Sequence, residues 1–275
     1  MDSQNKALNL FINAFMIAFC IIIIFPVIYS MLVSFQEPRM AFYSIIPERW
    51  TFQHYIRLFS HGLFPRYILN SIIYAIGGAI VSTSLSALAA YALARFQFRG
   101  KGLVNSFVLG MMMLPGLISV IPIYKLASDL KLLDTYTLLI IVFGAYGIPL
   151  GIWILKAFFS SIPQVLDEAA FIDGATPLQA FFKVILPITT PGLIATFLIN
   201  FVYNWNNFFT PLILVTRTNM KMATVGLFDF QHVLEGNQDE LLAAACVVIM
   251  IPSILLFIFL RDYFMRGMIE GAVKG

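Results

Sequence analysis

Residues 136–155 read YTLLIIVFGAYGIPLGIWIL, twenty positions without a charged side chain before Lys156. As a helix rising about 1.5 Å per residue, that length covers about 30 Å, the thickness of a bilayer's hydrocarbon core. Working outward, five more segments are long and apolar enough to cross: 8–34, 68–93, 103–124, 188–215 and 241–260. The chain is 60% hydrophobic and 11% charged, a balance that no water-facing globular surface can carry. The expected fold class is all-α: a polytopic membrane protein with six transmembrane helices, forming one transmembrane domain over residues 1–275.

The six spans leave only short connections and one longer loop between 35 and 67, so no separate soluble domain is expected to hold a nucleotide or a catalytic centre. The first span greatly exceeds the apolar run of a cleaved secretion signal and reads as retained. Cys20 and Cys246 fall inside spans, where a thiol behaves as a small hydrophobe, so they define no disulfide. Basic residues are almost evenly divided between the two sides. Arg95, Arg99 and Lys101 crowd the shortest loop, which favours a cytoplasmic location for that loop and for both termini.

No Asp, Glu, Lys or Arg lies in the body of a span. Intramembrane ionisable groups are the usual parts of proton relays and ion-coupled carriers, so an ion-driven mechanism has little to work with. Gly100-Lys101-Gly102 lacks the spacing and the hydroxyl residue of a phosphate-binding loop. His54, His61 and His232 are scattered through loops without the spacing of a metal site. No serine or cysteine sits in a recognisable nucleophile motif. What remains is a solute pathway, either a passive pore or a permease driven by a separate subunit.

The loop 160–187 discriminates between these. Ser161-Ile162-Pro163-Gln164 reads as a capping box opening a short helix through Leu166 and Ala170, and Gly174 supplies its C-terminal turn. Thr176-Pro177-Leu178-Gln179 repeats the start signal, and Pro187 bends or breaks the second helix before span five. Two capped helices about a glycine turn make a compact knob. Ala169 and Ala170 permit close backbone approach by a partner, and Glu168 and Asp173 offer carboxylates to basic side chains. The plainer reading is a packed turn whose acidic residues only cap helices.

Span five is rich in amides. At about 100° per residue, Thr196, Asn200, Asn204 and Asn207 fall on one stripe, with Tyr203 beside it. Such a stripe faces protein or water rather than lipid. It suits either the hydroxyls of a sugar in transit or bonds to neighbouring helices, and Trp205 points away as packing. In span two, Gly78, Ser82, Ser86 and Ala90 place a small residue at every fourth position, which reads as a close-packing face. Pro115 and Pro122 should kink span three.

Glu168-Ala169-Ala170, Gly174 and Val184-Ile185-Leu186-Pro187 together resemble the E-A-A-x-x-x-G-x(9)-I-x-L-P signature of permease subunits of bacterial ATP-binding-cassette importers, with Val184 where the consensus has isoleucine. Asp173-Gly174-Ala175 and Phe181 look like its carbohydrate branch, the maltose-type permeases. Similar to that branch too are Tyr91-Ala92-Leu93-Ala94-Arg95-Phe96 with Arg99-Gly100-Lys101, Leu114-Pro115-Gly116, Ile121-Pro122-Ile123-Tyr124, Trp205-Asn206-Asn207-Phe208-Phe209 with Pro211-Leu212, and the ending Gly271-Ala272-Val273-Lys274-Gly275.

The resemblance implies a sugar permease of the bacterial cytoplasmic membrane, surrounded by lipid and paired with a second homologous permease subunit. An extracytoplasmic solute-binding protein delivers the substrate, and two cytoplasmic ATP-binding subunits grip the loop at Glu168, Ala169, Ala170, Asp173 and Gly174. ATP and magnesium then belong to the ATPase; this chain binds no cofactor, metal or nucleic acid and is not itself an enzyme. Asn200, Tyr203, Asn204 and Asn207 become the candidate substrate pathway. Importers of a polyol or glycerol-phosphate, and more remotely an ion-coupled carrier or channel, are the alternatives.

Overall fold

The computed structural model describes residues 2–37, 47, 49–60, 62–233 and 239–272, and side chains within 9–37, 47, 49–60, 62–228 and 239–261. Arg39, His61 and the tail residues 273–275 lie outside the described residues, as do the side chains of His232 and Arg266. Every element among the described residues is helical, apart from one isolated bridge between Gln36 and Trp50. The helices are α1 (Asp2–Ser34), α2 (Gln53–Ser60), α3 (Leu63–Arg95), α4 (Lys101–Met112), α5 (Gly116–Asp129), α6 (Tyr136–Ser161), α7 (Val165–Ile172) and α8 (Pro177–Ala180). A π-helical segment (Phe181–Ile185) leads to α9 (Leu186–Ile188), α10 (Thr190–Trp205), α11 (Phe209–Leu214), a 3-10 turn (Thr218–Met220), α12 (Ala223–Val233) and α13 (Asp239–Ala272).

Four helices, α1, α3, α6 and α13, are individually long and apolar enough to cross a membrane; two further pairs qualify only jointly. The expected third span is α4 and α5 at 95° to one another, and the stretch Pro177–Ile188 meets α10 at 80°. Six spans are therefore reached when each bent pair counts as one. Pro115 is the N-cap of α5 and biases Leu114 before it away from the helical conformation, at the break between α4 and α5. Pro122, expected to kink the same span, stays inside α5. The fifth expected span is shorter than the stretch 188–215, because α10 ends at Trp205. There the Asn207 carboxamide accepts the Thr210 amide at 3.1 Å, so a side chain replaces the helical ladder.

Two compact units divide the chain: Met1–Pro65 with Leu227–Ile251, and Arg66–Gly226 with Pro252–Gly275. In the first, α1 exposes apolar residues on every side, from Leu10 and Phe11 to Ile28 and Met31, as a lipid-facing helix must. Its end is tied to α2: the Ser34 and Tyr55 hydroxyls lie 2.6 Å apart, His54 Nε2 meets the Gln36 carbonyl at 2.8 Å, and Phe35 packs on Trp50, Phe52 and Tyr55.

In the second unit, α3, α6 and α10 approach closely because small residues line their contacts. Gly78, Ser82 and Ser86 of α3 face Gly144, Gly147 and Gly151 of α6 and Thr196, Asn200 and Asn204 of α10, while Ala90 packs one step further along with Leu155 and Phe159. A Cβ added at Gly78 would lie 2.6 Å from Phe143 Cβ and 2.8 Å from Asn204 Nδ2. Larger residues fill two clusters beyond this contact, one around Tyr74, Leu139 and Phe143, the other around Tyr91, Phe159 and Phe181.

Candidate coupling surface and translocation cavity

The knob after α6 is built by local rules, with one departure from expectation. Ser161 does not cap α7: helix α6 continues through it, and its hydroxyl donates to the Phe158 carbonyl at 2.8 Å. Helix α7 starts after Gln164 without a side-chain cap and carries Asp167 and Glu168 in its first turn, where negative charge suits the helix dipole. Its other end follows the Schellman pattern. Ala175 N donates to Ala170 O at 2.9 Å and Gly174 N to Phe171 O at 3.0 Å, with Gly174 at φ +84°. Thr176 and Gln179 then form the full capping box, at 2.9 and 3.3 Å. The bend into α10 falls at Thr189, two residues beyond Pro187.

This turn chemistry divides α7 into two faces. Val165, Glu168, Ala169, Ile172 and Asp173 point outward, and Ile172 is 87% exposed; Leu178 and Phe182 extend the apolar part of that surface. Asp167 and Ala170 point inward. Ala170 thus allows close approach by the chain's own π segment, whereas Ala169 and Gly174 remain on the outside.

Asp167, which sequence reading passed over for its neighbour Glu168, is the buried acid of the knob. Its Oδ1 accepts the Tyr91 hydroxyl at 2.6 Å, and its Oδ2 lies 2.8 Å from Arg95 Nε, an ion pair held by charge rather than by an aligned hydrogen bond. Arg95 also donates to the Ile162 carbonyl at 3.0 Å. The three-residue spacing from Asp167 to Ala170 places both on one helical face, but Glu168 and Phe171 share that spacing, so it does not single out the buried acid.

The second feature is a cavity of about 360 Å³ where α4 breaks from α5. Met112, Leu114, Ser119, Tyr146, Asn200 and Tyr203 are among its walls. Irregular backbone at membrane depth needs protein or water partners. Tyr146 supplies one, donating to the Gly116 carbonyl at 3.3 Å while its oxygen lies 2.8 Å from Ser119 Oγ. Of the expected pathway residues, Asn200 and Tyr203 reach this cavity. Asn204 faces α3 instead, donating to the Ala75 carbonyl at 3.3 Å, and Asn207 lies beyond α10 as the cap of the following turn. Even Asn200 has a packing bond, from Nδ2 to Ser82 Oγ at 2.6 Å. Among the described residues no cluster of three or more His, Cys, Asp or Glu side chains could hold a metal.

Residues 82–270, which include the knob, both bent helix pairs and the cavity, match the family described as the binding-protein-dependent transport system inner membrane component. The chain belongs to this family. Similar full-length permeases include a trehalose/maltose transport system permease protein of Thermococcus litoralis, 35% identical over 92% of each chain. A trehalose transport system permease protein of Mycobacterium tuberculosis is 35% identical over 84% of this chain and 85% of its own. The fold also matches a bacterial ABC transporter involved in import of the acidic polysaccharide alginate, with TM-score 0.81 and 24% identity over 95% of this chain and 98% of that one. The permease is accordingly a multi-pass membrane subunit of an importer that works with a solute-binding protein.

Proposed function

We propose that this permease carries a sugar or oligosaccharide into the cell by alternating access, driven by a cytoplasmic ATPase that grips α7. Two ATP-binding subunits hold the ATP and magnesium, so the chain itself is neither an enzyme nor a cofactor carrier. A second homologous permease completes the pathway, and both termini lie on the cytoplasmic side with the knob. The names of the relatives support the sugar class, and the cavity is compatible with it: its wall is mostly apolar and uncharged, with Ser119, Asn200 and the rings and hydroxyls of Tyr146 and Tyr203 as its polar groups. Its volume falls within the range of about 300–1,000 Å³ typical of small-molecule sites.

The observation that carries the coupling reading is the outer face of α7. A short helix fixed at its C-terminal end by the Gly174 turn presents Val165, Ala169 and Ile172 around the carboxylate of Glu168, with Leu178 and Phe182 beside them, an exposed apolar surface of the kind that marks a protein contact. Glu168→Lys in the assembled complex is expected to release the ATPase on purification and to abolish uptake, while the permease remains in the membrane. Normal uptake and ATPase retention by this variant would overturn the assignment.

A further inference from the structure

We propose that Asp167, Arg95 and Tyr91 form the joint through which movement of α7 reaches α3, and that this joint sets how much solute is moved per ATP hydrolysed. The proposal rests on the reading of α7 as the coupling helix. It concerns the inner face of that helix, whereas the ATPase grip concerns the outer one.

The geometry is that of a three-way tie. Arg95 is the last residue of α3; its guanidinium meets Asp167 of α7 and the carbonyl of Ile162, the C-cap of α6. One side chain therefore fixes the ends of three helices. Tyr91, one turn earlier on α3, donates to the other oxygen of Asp167, and its ring is wedged between Phe181 of the π segment at 4.9 Å and Phe159 of α6 at 5.8 Å. Both partners of the ion pair are more than nine-tenths buried. The rest of the inner contact is apolar, through Ala170, Ala180, Phe181 and Ile185, and apolar surfaces can slip past one another. A charge pair with a second anchor on the same carboxylate holds register.

From Arg95 the rigid body of α3 leads back to Ser82, thirteen positions earlier and about 20 Å away at 1.5 Å per residue. There Ser82 Oγ accepts the amide of Asn200, which is also a wall of the cavity. Displacement of α7 is thus delivered to the cavity through α3 as well as along the bent chain from Ile188 into α10. Simple adhesion does not account for the choice of residues. Replacing a buried ion pair by apolar side chains of similar volume is often neutral or stabilising, so a contact that only had to hold would be better built without charge.

That contrast supplies the test. The complete complex with its ATPase, partner permease and binding protein is reconstituted in liposomes, and solute imported per ATP hydrolysed is measured with maltose and trehalose as probes. The apolar pair Arg95→Met with Asp167→Leu is expected to assemble and hydrolyse ATP, yet to import about tenfold less solute per ATP. Tyr91→Phe, which removes only a hydroxyl, is expected to lower the same ratio in a complex that still assembles and hydrolyses ATP, and stands in if the double variant fails to assemble. A parent-like ratio in either assembled variant would overturn the joint. Glu168→Lys, run in parallel, separates the two readings: if it imports normally, the coupling reading of α7 fails, whereas loss of import in it beside parent-like ratios in the joint variants overturns the joint alone.

Discussion

Gly147 shows how little room the membrane-embedded contact leaves. A Cβ there would lie 2.5 Å from Asn200 Oδ1 and closer still to Ser82 Oγ, both on neighbouring helices that cannot yield without losing their mutual hydrogen bond. Overpacking of this kind costs about 1–3 kcal/mol. Gly110 of α4 has nothing within 4 Å of the same position, so alanine there should be neutral or slightly favourable for the helix. Gly147→Ala is therefore expected to lower the melting temperature of the detergent-solubilised permease and Gly110→Ala to leave it unchanged; equal effects would contradict the close contact. Asp134 offers a second residue-scale test, outside the spans. Burial raises its pKa, but the amides of Arg217 and Thr216 and the Thr216 hydroxyl, at 2.6–2.9 Å, outweigh this and hold the carboxyl below its ordinary value. A carboxylate depressed in the folded state contributes stability above its unfolded pKa of about 3.9 and loses it as pH falls through the lower folded value. Asp134→Asn should destabilise the protein at neutral pH, and the difference from the parent should vanish on acid titration.

At the level of elements, the knob was partly legible because its signals are local. The left-handed turn at Gly174 and the capping box of Thr176 with Gln179 both depend on residues within a few positions of one another. The matching signature at Ser161 and Gln164 misled, because hydropathy ended the span at Leu155 while the helix continued. Lys156 donates to Asn105 Oδ1 at 2.8 Å from within α6, and the helix runs six residues past Leu155 and absorbs Ser161. Asp167 was invisible for the opposite reason. Its partners Arg95 and Tyr91 lie more than seventy positions away, and no local pattern distinguishes it from Glu168. The conformation of Gly174 also yields a prediction. Valine at φ +84° is strained by about 1–2 kcal/mol, enough to loosen α7 from α8 without disturbing the spans. Gly174→Val should reduce uptake and ATPase retention together, with membrane insertion unchanged on cell fractionation.

Across the whole molecule, hydropathy located the apolar segments but could not distinguish a straight span from a bent one, since it counts transfer of side chains and ignores the direction of the backbone. The two bent pairs are where the candidate function lies, one at the cavity and one behind the knob. The amide stripe illustrates the same limit. Periodicity placed Asn200 and Asn204 on one face, but only the break between α4 and α5 opens space beside Asn200, while Asn204 is closed against α3. The two asparagines should therefore respond differently to alanine, although one helix carries both. Asn204→Ala removes a buried bond worth about 1 kcal/mol and should lower the melting temperature without changing the transport KM. Tyr203 is half-exposed on the cavity and carries a ring and a hydroxyl suited to a sugar, so Tyr203→Ala should leave stability intact. Loss of about 1.4 kcal/mol of binding corresponds to a tenfold rise in KM for the transported sugar, to be read in proteoliposome uptake over a concentration series. A KM shift in Asn204→Ala with none in Tyr203→Ala would move the pathway to the other side of α10.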